Sequence, residues 1–230
     1  MTVQAFDEAV RKFPGYLQVG FVRSTLEPMA SEPRTIDELR VIADKVPGWL
    51  FRGQDELLYN LAKACPKGLA IVEIGSWKGR STVYLAWGSK RGNWCPVYAV
   101  DHHLGSEELL EYPGFGERHP GGTFPEFWRN MQAAGVEDVV VPLVADSVKG
   151  AQLVNKPIGL LFIDGAHNAE AVIADFRAWA PKMAVGGYVA FHDYDNRQFT
   201  VQRGVDAVLA DAVNWETLGT TYGIRGARRR

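Results

Sequence analysis

VEIGSWKGRSTVYLA, running from Val72 to Ala86, decides the fold. Its opening residues close an apolar run, Leu69 to Gly75, of the length expected for a buried strand. Gly75 and Gly79 bracket a short turn, and Ser81 to Gly88 reads as a helix. A strand, a glycine turn and a helix in that order form the basic unit of a doubly wound sheet. One acid, Glu73, stands inside the strand and restricts what the turn can bind.

Outward from this unit the chain keeps alternating. Before it, Leu57, Leu58, Leu61 and Ala64 fall at helical spacing over Gln54 to Ala64, and Pro66 and Gly68 stop that helix. After it come a second strand, Pro96 to Asp101, and a helix, Phe124 to Ala134, closed by Gly135. Asp138 to Val144 and Ile158 to Asp164 are the third and fourth strands. Ala169, Val172, Ile173, Phe176 and Ala180 share one helical face, with Asn168 as cap and Pro181 just past the end. Gly186 and Gly187 lead into a fifth strand, YVAFHD, and a helix runs from Val201 to about Val213. The tail NWETLGTTYGIRG reads as two strands joined by a turn around Gly219.

Short apolar strands alternating with helices predict a parallel sheet covered on both faces, an α/β Rossmann-like fold. Right-handed crossovers make it doubly wound. Two final strands joined by a short turn must be antiparallel, which predicts one reversed edge strand. Residues 1 to 52, punctuated by Pro14, Pro28, Pro33 and Pro47, read as an N-terminal arm or helical extension, and residues 53 to 230 as the main domain. Leu104 to Gly122 is long, rich in glycine, proline and acid, and follows the second strand. Ligands of doubly wound sheets bind at that edge, so this segment is expected to be a lid or substrate wall.

The composition narrows the function. Of 230 residues, 25 are Lys or Arg and 27 are Asp or Glu, so no basic field points to nucleic acid. No apolar run reaches the roughly 18 residues of a membrane span. Charged residues at the N-terminus, Asp7 to Lys12, leave no signal-peptide core. Two cysteines, Cys65 and Cys95, are too few for a disulfide framework. The expectation is a cytoplasmic protein that acts on a small molecule.

The turn itself is selective. It lacks the GxxxxGK[ST] string of a phosphate loop. It also lacks one glycine of the dinucleotide fingerprint, with Trp77 where the backbone would have to approach a pyrophosphate. Glu73 would repel a diphosphate but suits an ammonium or sulfonium. Gly75 allows the tight turn, and Ser76, Ser81 and the helix N-terminus offer donors to a carboxylate. Asp101 can take both ribose hydroxyls, and Asp146 or Ser147 can accept from an adenine amino group. S-adenosylmethionine carries all of these parts.

VEIGSWKGRSTVYLA, VYAVDHH and LLFIDGAHNAEAVIADFRAWAPKMAVGGYVAFHDY together resemble the class I S-adenosylmethionine-dependent methyltransferases. The resemblance is nearest to the branch of macrocin-type O-methyltransferases and cephalosporin hydroxylase relatives, and spans about Gly53 to Val213. It implies a seven-stranded sheet of order 3-2-1-4-5-7-6. It also implies that Glu73, Gly75 and Gly79 shape the cofactor loop, that Asp101 binds ribose, and that Asp146 and Ser147 sit at the adenine. His102, beside Asp101, would line the pocket.

A second constellation stands at the ends of strands four and five. Asp164, His167, His192 and Asp193 can converge there, since adjacent strands lie about 4.8 Å apart. One chemistry places a divalent metal on Asp164, His192 and Asp193, lowering the pKa of an acceptor hydroxyl. Related catechol-type enzymes carry an acid where His192 stands, and an imidazole favours manganese or zinc over magnesium. The other chemistry needs no metal: His192 or His167 acts as general base with an acid orienting the ring. The sequence is therefore expected to encode an O-methyltransferase of a small hydroxylated acceptor, working as a homo-oligomer. An NAD-dependent oxidoreductase and a non-catalytic adenosyl-binding protein are the alternatives.

Overall fold

The run around Glu73 forms β1, Ala70–Ile74, and all of its residues are buried. In the computed structural model, residues 32–105 and 122–230 are described. Most of the expected N-terminal arm, and all but the ends of the expected lid, lie outside the described residues. The two ends of that excursion are tied together, because the Thr123 amide donates to the His103 carbonyl at 2.9 Å.

The strands that follow are β2 (Val97–Asp101), β3 (Val140–Val144), β4 (Ile158–Ile163), β5 (Met183–Phe191), β6 (Trp215–Thr221) and β7 (Ile224–Arg229). They form one seven-stranded sheet of order β3-β2-β1-β4-β5-β7-β6. β1 and β4 lie at its centre, buried on both faces, which explains their unbroken apolar runs. β1 to β5 pair in parallel, whereas β7 is antiparallel to both β5 and β6. The single reversed strand is thus not at the edge: β7 lies one strand in, and β6 forms the margin. The hairpin turn also differs from expectation. It falls at Tyr222 and Gly223, both at positive φ, and Gly219 stays inside β6 at a register shift.

Seven α-helices cover the sheet among the described residues: α1 (Ile36–Ala43), α2 (Gln54–Lys63), α3 (Arg80–Arg91), α4 (Phe124–Ala133), α5 (Ser147–Leu153), α6 (Ala169–Trp179) and α7 (Val201–Leu209). One face packs against α1 to α4 through Leu39, Leu58, Leu85, Trp87, Phe127 and Met131. The other packs against α5 to α7 through Ala151, Phe176, Trp179 and Val205. Leu39, Ala43 and Val46 belong to the same buried cluster as Leu58, so the start of the described chain shares the main core. Asn168 caps α6 as its sequence suggests, accepting from the Ala171 amide at 2.8 Å. β5 begins earlier than its YVAFHD core because Met183 already pairs with Ile158. Among the described residues, no helix is long and apolar enough to cross a membrane.

Candidate active site

The carboxyl ends of the parallel strands carry the loops that build the site. After β1 the chain turns at Gly75, whose φ is +87°. A Cβ there would lie 2.0 Å from the Asp164 carbonyl oxygen, so only glycine lets the β1 and β4 loops approach this closely. Gly79, at φ +96°, then opens α3. Ser76, in the turn between them, is buried, and its hydroxyl has no partner among the described residues. It lines the cavity described below.

Glu73 does not face that cavity. Strand alternation turns it toward α3, where Ser81 and Thr82 each donate a hydroxyl to it at 2.5 Å. Burial pushes its pKa up to about 8, against the two hydroxyls that favour the anion. Ser81 was expected to donate to a ligand carboxylate, but its proton is given to Glu73. This pair braces the first turn of α3.

At the end of β2, one oxygen of Asp101 accepts from the Trp77 amide at 2.8 Å and the other from the His103 amide at 2.6 Å. Each carboxylate oxygen keeps a second lone pair for a ligand. His102 is exposed beside it, with Nδ1 accepting from the Leu104 amide at 3.0 Å. After β3, Asp146 and Ser147 part company. Asp146 caps α5, accepting from the Lys149 amide at 3.1 Å and pairing with the Lys149 ammonium at 2.8 Å. It is not on the cavity wall, whereas Ser147 is.

The second constellation assembles around His192. Its Nδ1 lies 3.0 Å from Asp164 and 3.1 Å from Asp193, and its Nε2 lies 3.2 Å from the Gln54 side-chain oxygen. Burial opposes charge on this ring, but the two carboxylates outweigh it and raise its pKa to about 10. With carboxylates at Nδ1 and the Gln54 oxygen at Nε2, both ring nitrogens are placed to donate, which disfavours the expected role of His192 as base. The expected metal set is Asp164, His192 and Asp193. Side chains whose ligand atoms lie within 4.8 Å of one another are instead Asp164, His167 and Asp193.

His167 Nε2 is 3.3 Å from Asp193, and its ring packs tilted against Phe199 with centroids 4.4 Å apart. Burial opposes its charge too, yet Asp193 and Asp164 hold its pKa above the ordinary histidine value. Asp193 is desolvated, but His167 and His192 more than compensate and depress its pKa well below the carboxylate range. Its backbone sits at φ +53°, and Trp77 and His103 also have positive φ. These strained non-glycine residues all follow the carboxyl ends of strands, where strain is commonly stored at functional sites.

One cavity of about 380 Å³ joins these groups. Its wall runs from Ala145 and Ser147 past Asp101, Gly75 and Ser76 to Asp164, His167 and Asp193. Residues 47–51 also line it. Arg80 holds this segment, donating to the Gly48 carbonyl at 2.7 Å and to Asp44 at 2.5 Å. Trp49 stacks on Trp77 with centroids 4.8 Å apart.

Residues 72–194, more than half of the chain, match the methyltransferase-domain family model. The chain belongs to the methyltransferase-domain family. An uncharacterized protein of Acanthamoeba polyphaga mimivirus is 26% identical to this methyltransferase-domain chain over 190 residues, 80% of each. The Bacillus cereus O-methyltransferase, solved with S-adenosylhomocysteine, superposes with a TM-score of 0.60 at 18% identity, covering 88% of this chain and 93% of its own. TomG from Streptomyces achromogenes, an O-methyltransferase of tomaymycin synthesis solved with S-adenosylmethionine, gives 0.58 at 15% identity, covering 87% and 92%. These structures share the Rossmann-like methyltransferase fold.

Gln54, Trp49 and Asp175 also belong to the site, and sequence reasoning passed over all three. Gln54 reaches His192 across 138 positions, a separation that no local pattern reports. Trp49 lies in a segment without periodicity. Asp175 did carry a signal: it sits between Val172 and Trp179 at helical spacing, an acid on the buried stripe of α6.

Proposed function

We propose that this chain is an S-adenosylmethionine-dependent O-methyltransferase of small hydroxylated molecules. The supporting observation is the single cavity that links the Gly75–Ser76 turn and Asp101 to Asp164, His167 and Asp193. Asp101 would take the ribose hydroxyls, and Ser76 with the start of α3 would take the amino-acid end. When bound, S-adenosylmethionine supplies a methyl group on a sulfonium that leaves as a neutral thioether. The chain's own task is to orient the acceptor hydroxyl, exclude water and receive its proton. The His167–Asp193 pair receives that proton, with the carboxylate stabilising the imidazolium that forms. His192, already charged, offsets the two carboxylates and fixes their orientation.

A metal-assisted variant has its own support in the 4.8 Å grouping of Asp164, His167 and Asp193. Two carboxylates and an imidazole suit manganese or zinc better than magnesium. A cation held there would lower the pKa of an acceptor hydroxyl. The macrocin-like motifs make hydroxylated sugars, polyketides and phenols the first acceptors to test.

A thermal shift with S-adenosylmethionine, S-adenosylhomocysteine and NAD, each with EDTA or with added magnesium, manganese or zinc, tests the reading. A rise with the two adenosyl ligands supports it. A rise with NAD alone would overturn it in favour of an oxidoreductase. If the adenosyl ligands bind but no acceptor is methylated, the fold serves as an adenosyl-binding protein.

A further inference from the structure

Asp175 is a buried acid on the wall of the cavity, and neither the turn nor the His167 constellation uses it. It projects from α6 into the corner where the β3 and β4 loops meet. Polar side chains on that corner's wall are Ser147 and Asp175, and their neighbours are Val100, Ala145, Gly165 and Ala171. The Ser147 hydroxyl accepts from the Trp179 indole at 2.9 Å and hydrogen-bonds Asp175. Ser147 has one proton, and the carboxylate has about four acceptor sites. Most of that acceptor capacity is left for a donor from the cavity.

The neighbouring glycine keeps the approach open. A Cβ on Gly165 would stand 3.3 Å from Asp175 Oδ2 and 3.4 Å from Ile74, tighter than an ordinary contact to the carboxylate. Burial pushes the Asp175 pKa up to about 6, with Ser147 working against the rise and no cation pulling it down. Such a carboxylate is stabilised by any N–H donor that reaches it.

We infer that Asp175, aligned by Ser147, accepts the exocyclic amine of the cofactor's adenine and selects adenine over a 6-oxopurine. This rests on the reading that the cavity takes an adenosyl cofactor. With ribose on Asp101, the base extends toward this corner, where Asp175 and Ser147 await it. Adenine presents an N–H₂ donor at position 6. Hypoxanthine presents a carbonyl oxygen there, which a carboxylate repels. Asp146, turned toward Lys149, leaves that role to Asp175.

Isothermal titration of the full chain with S-adenosylhomocysteine and with S-inosylhomocysteine tests the inference. Wild type is expected to bind the adenosyl ligand about 30-fold more tightly, the scale of one charge-assisted hydrogen bond. Asp175→Asn, whose amide can donate to a 6-oxo group, is expected to lose adenosyl affinity and bring the ratio near one. Equal binding of both ligands by wild type overturns the inference, and so does a folded Asp175→Asn protein that keeps the wild-type ratio. Should Asp175→Asn fail to fold, Ser147→Ala, which removes the hydroxyl that aligns Asp175, is expected to narrow the ratio, and a folded Ser147→Ala protein that keeps the wild-type ratio overturns the inference. Binding of neither ligand by wild type overturns the adenosyl reading itself, a result distinct from loss of discrimination alone.

Discussion

His192 Nε2 lies 3.2 Å from Gln54 Oε1, and this contact fixes the protonation of the ring. The Gln54 amide cannot be turned over: its nitrogen donates to the Tyr222 carbonyl at 2.7 Å and its oxygen accepts from the Phe51 amide at 2.8 Å. His192 Nε2 must therefore donate. Nδ1, facing Asp164 and Asp193, must donate as well. The expected form is an imidazolium with a pKa near 10, raised from 6.5. A histidine raised on folding adds stability that is complete below about pH 6.5 and fades as pH rises through about 10. Nitrogen-15 NMR of His192 at pH 8 should show both ring nitrogens protonated. A neutral tautomer at that pH would contradict the assignment.

Glu73 reverses the usual carboxylate behaviour. Its pKa is raised from 4.5 to about 8, mainly by burial. The folded protein holds a proton that the unfolded chain releases above about pH 4.5, so stability falls as pH rises through this window. At about 1.4 kcal/mol per unit, the loss approaches about 4 kcal/mol by pH 8. Glu73→Gln keeps the shape, and its amide can still meet Ser81 and Thr82. Urea midpoints measured from pH 5 to 8 should decline less in the variant than in the wild type. Parallel curves would remove Glu73 as the cause.

Gly75→Ala tests how tightly the cofactor turn is built. The added Cβ would meet the Asp164 carbonyl at 2.0 Å while the backbone stays at φ +87°. Strain at such a φ alone costs about 1–3 kcal/mol, and backbone must move besides. We expect at least about 3 kcal/mol of lost stability and no measurable binding of S-adenosylhomocysteine. A variant with wild-type melting temperature and affinity would show that the β1 and β4 loops have slack.

Much of this architecture is legible before folding, because it rests on local signals. The apolar runs of β1 and β4, the helical stripe of α6 and the turn at Gly75 each follow from spacing within a dozen residues. The hairpin turn is not legible in this way, because Gly219 is the first glycine in the tail whereas the chain reverses at Tyr222–Gly223. Within the site, Asp101 and Asp164 stand at strand ends, where position announces function. The roles of His192 and His167 could not be told apart in the sequence, since both follow strand ends beside acids. Gln54, far away in the chain, separates them by accepting from His192 Nε2. Likewise Asp146 and Ser147 are adjacent in sequence, and only the α5 cap turns Asp146 toward Lys149.

The two readings of the His167 group predict opposite responses to chelation. His167 is held to Asp193 at 3.3 Å, with its pKa above the ordinary 6.5. If the pair serves as general base, the rate should climb as pH rises past that value, because the base must be unprotonated to act. His167→Gln should then lower kcat about 10²- to 10⁴-fold with KM for the cofactor nearly unchanged. EDTA should have no effect. If Asp164, His167 and Asp193 bind a cation, manganese should titrate to one site by electron paramagnetic resonance. Dialysis against chelator should then abolish methyl transfer, and His167→Gln should weaken the manganese signal. Manganese binding that survives loss of His167 would place the cation elsewhere. A rate indifferent to both chelation and His167→Gln would overturn both readings.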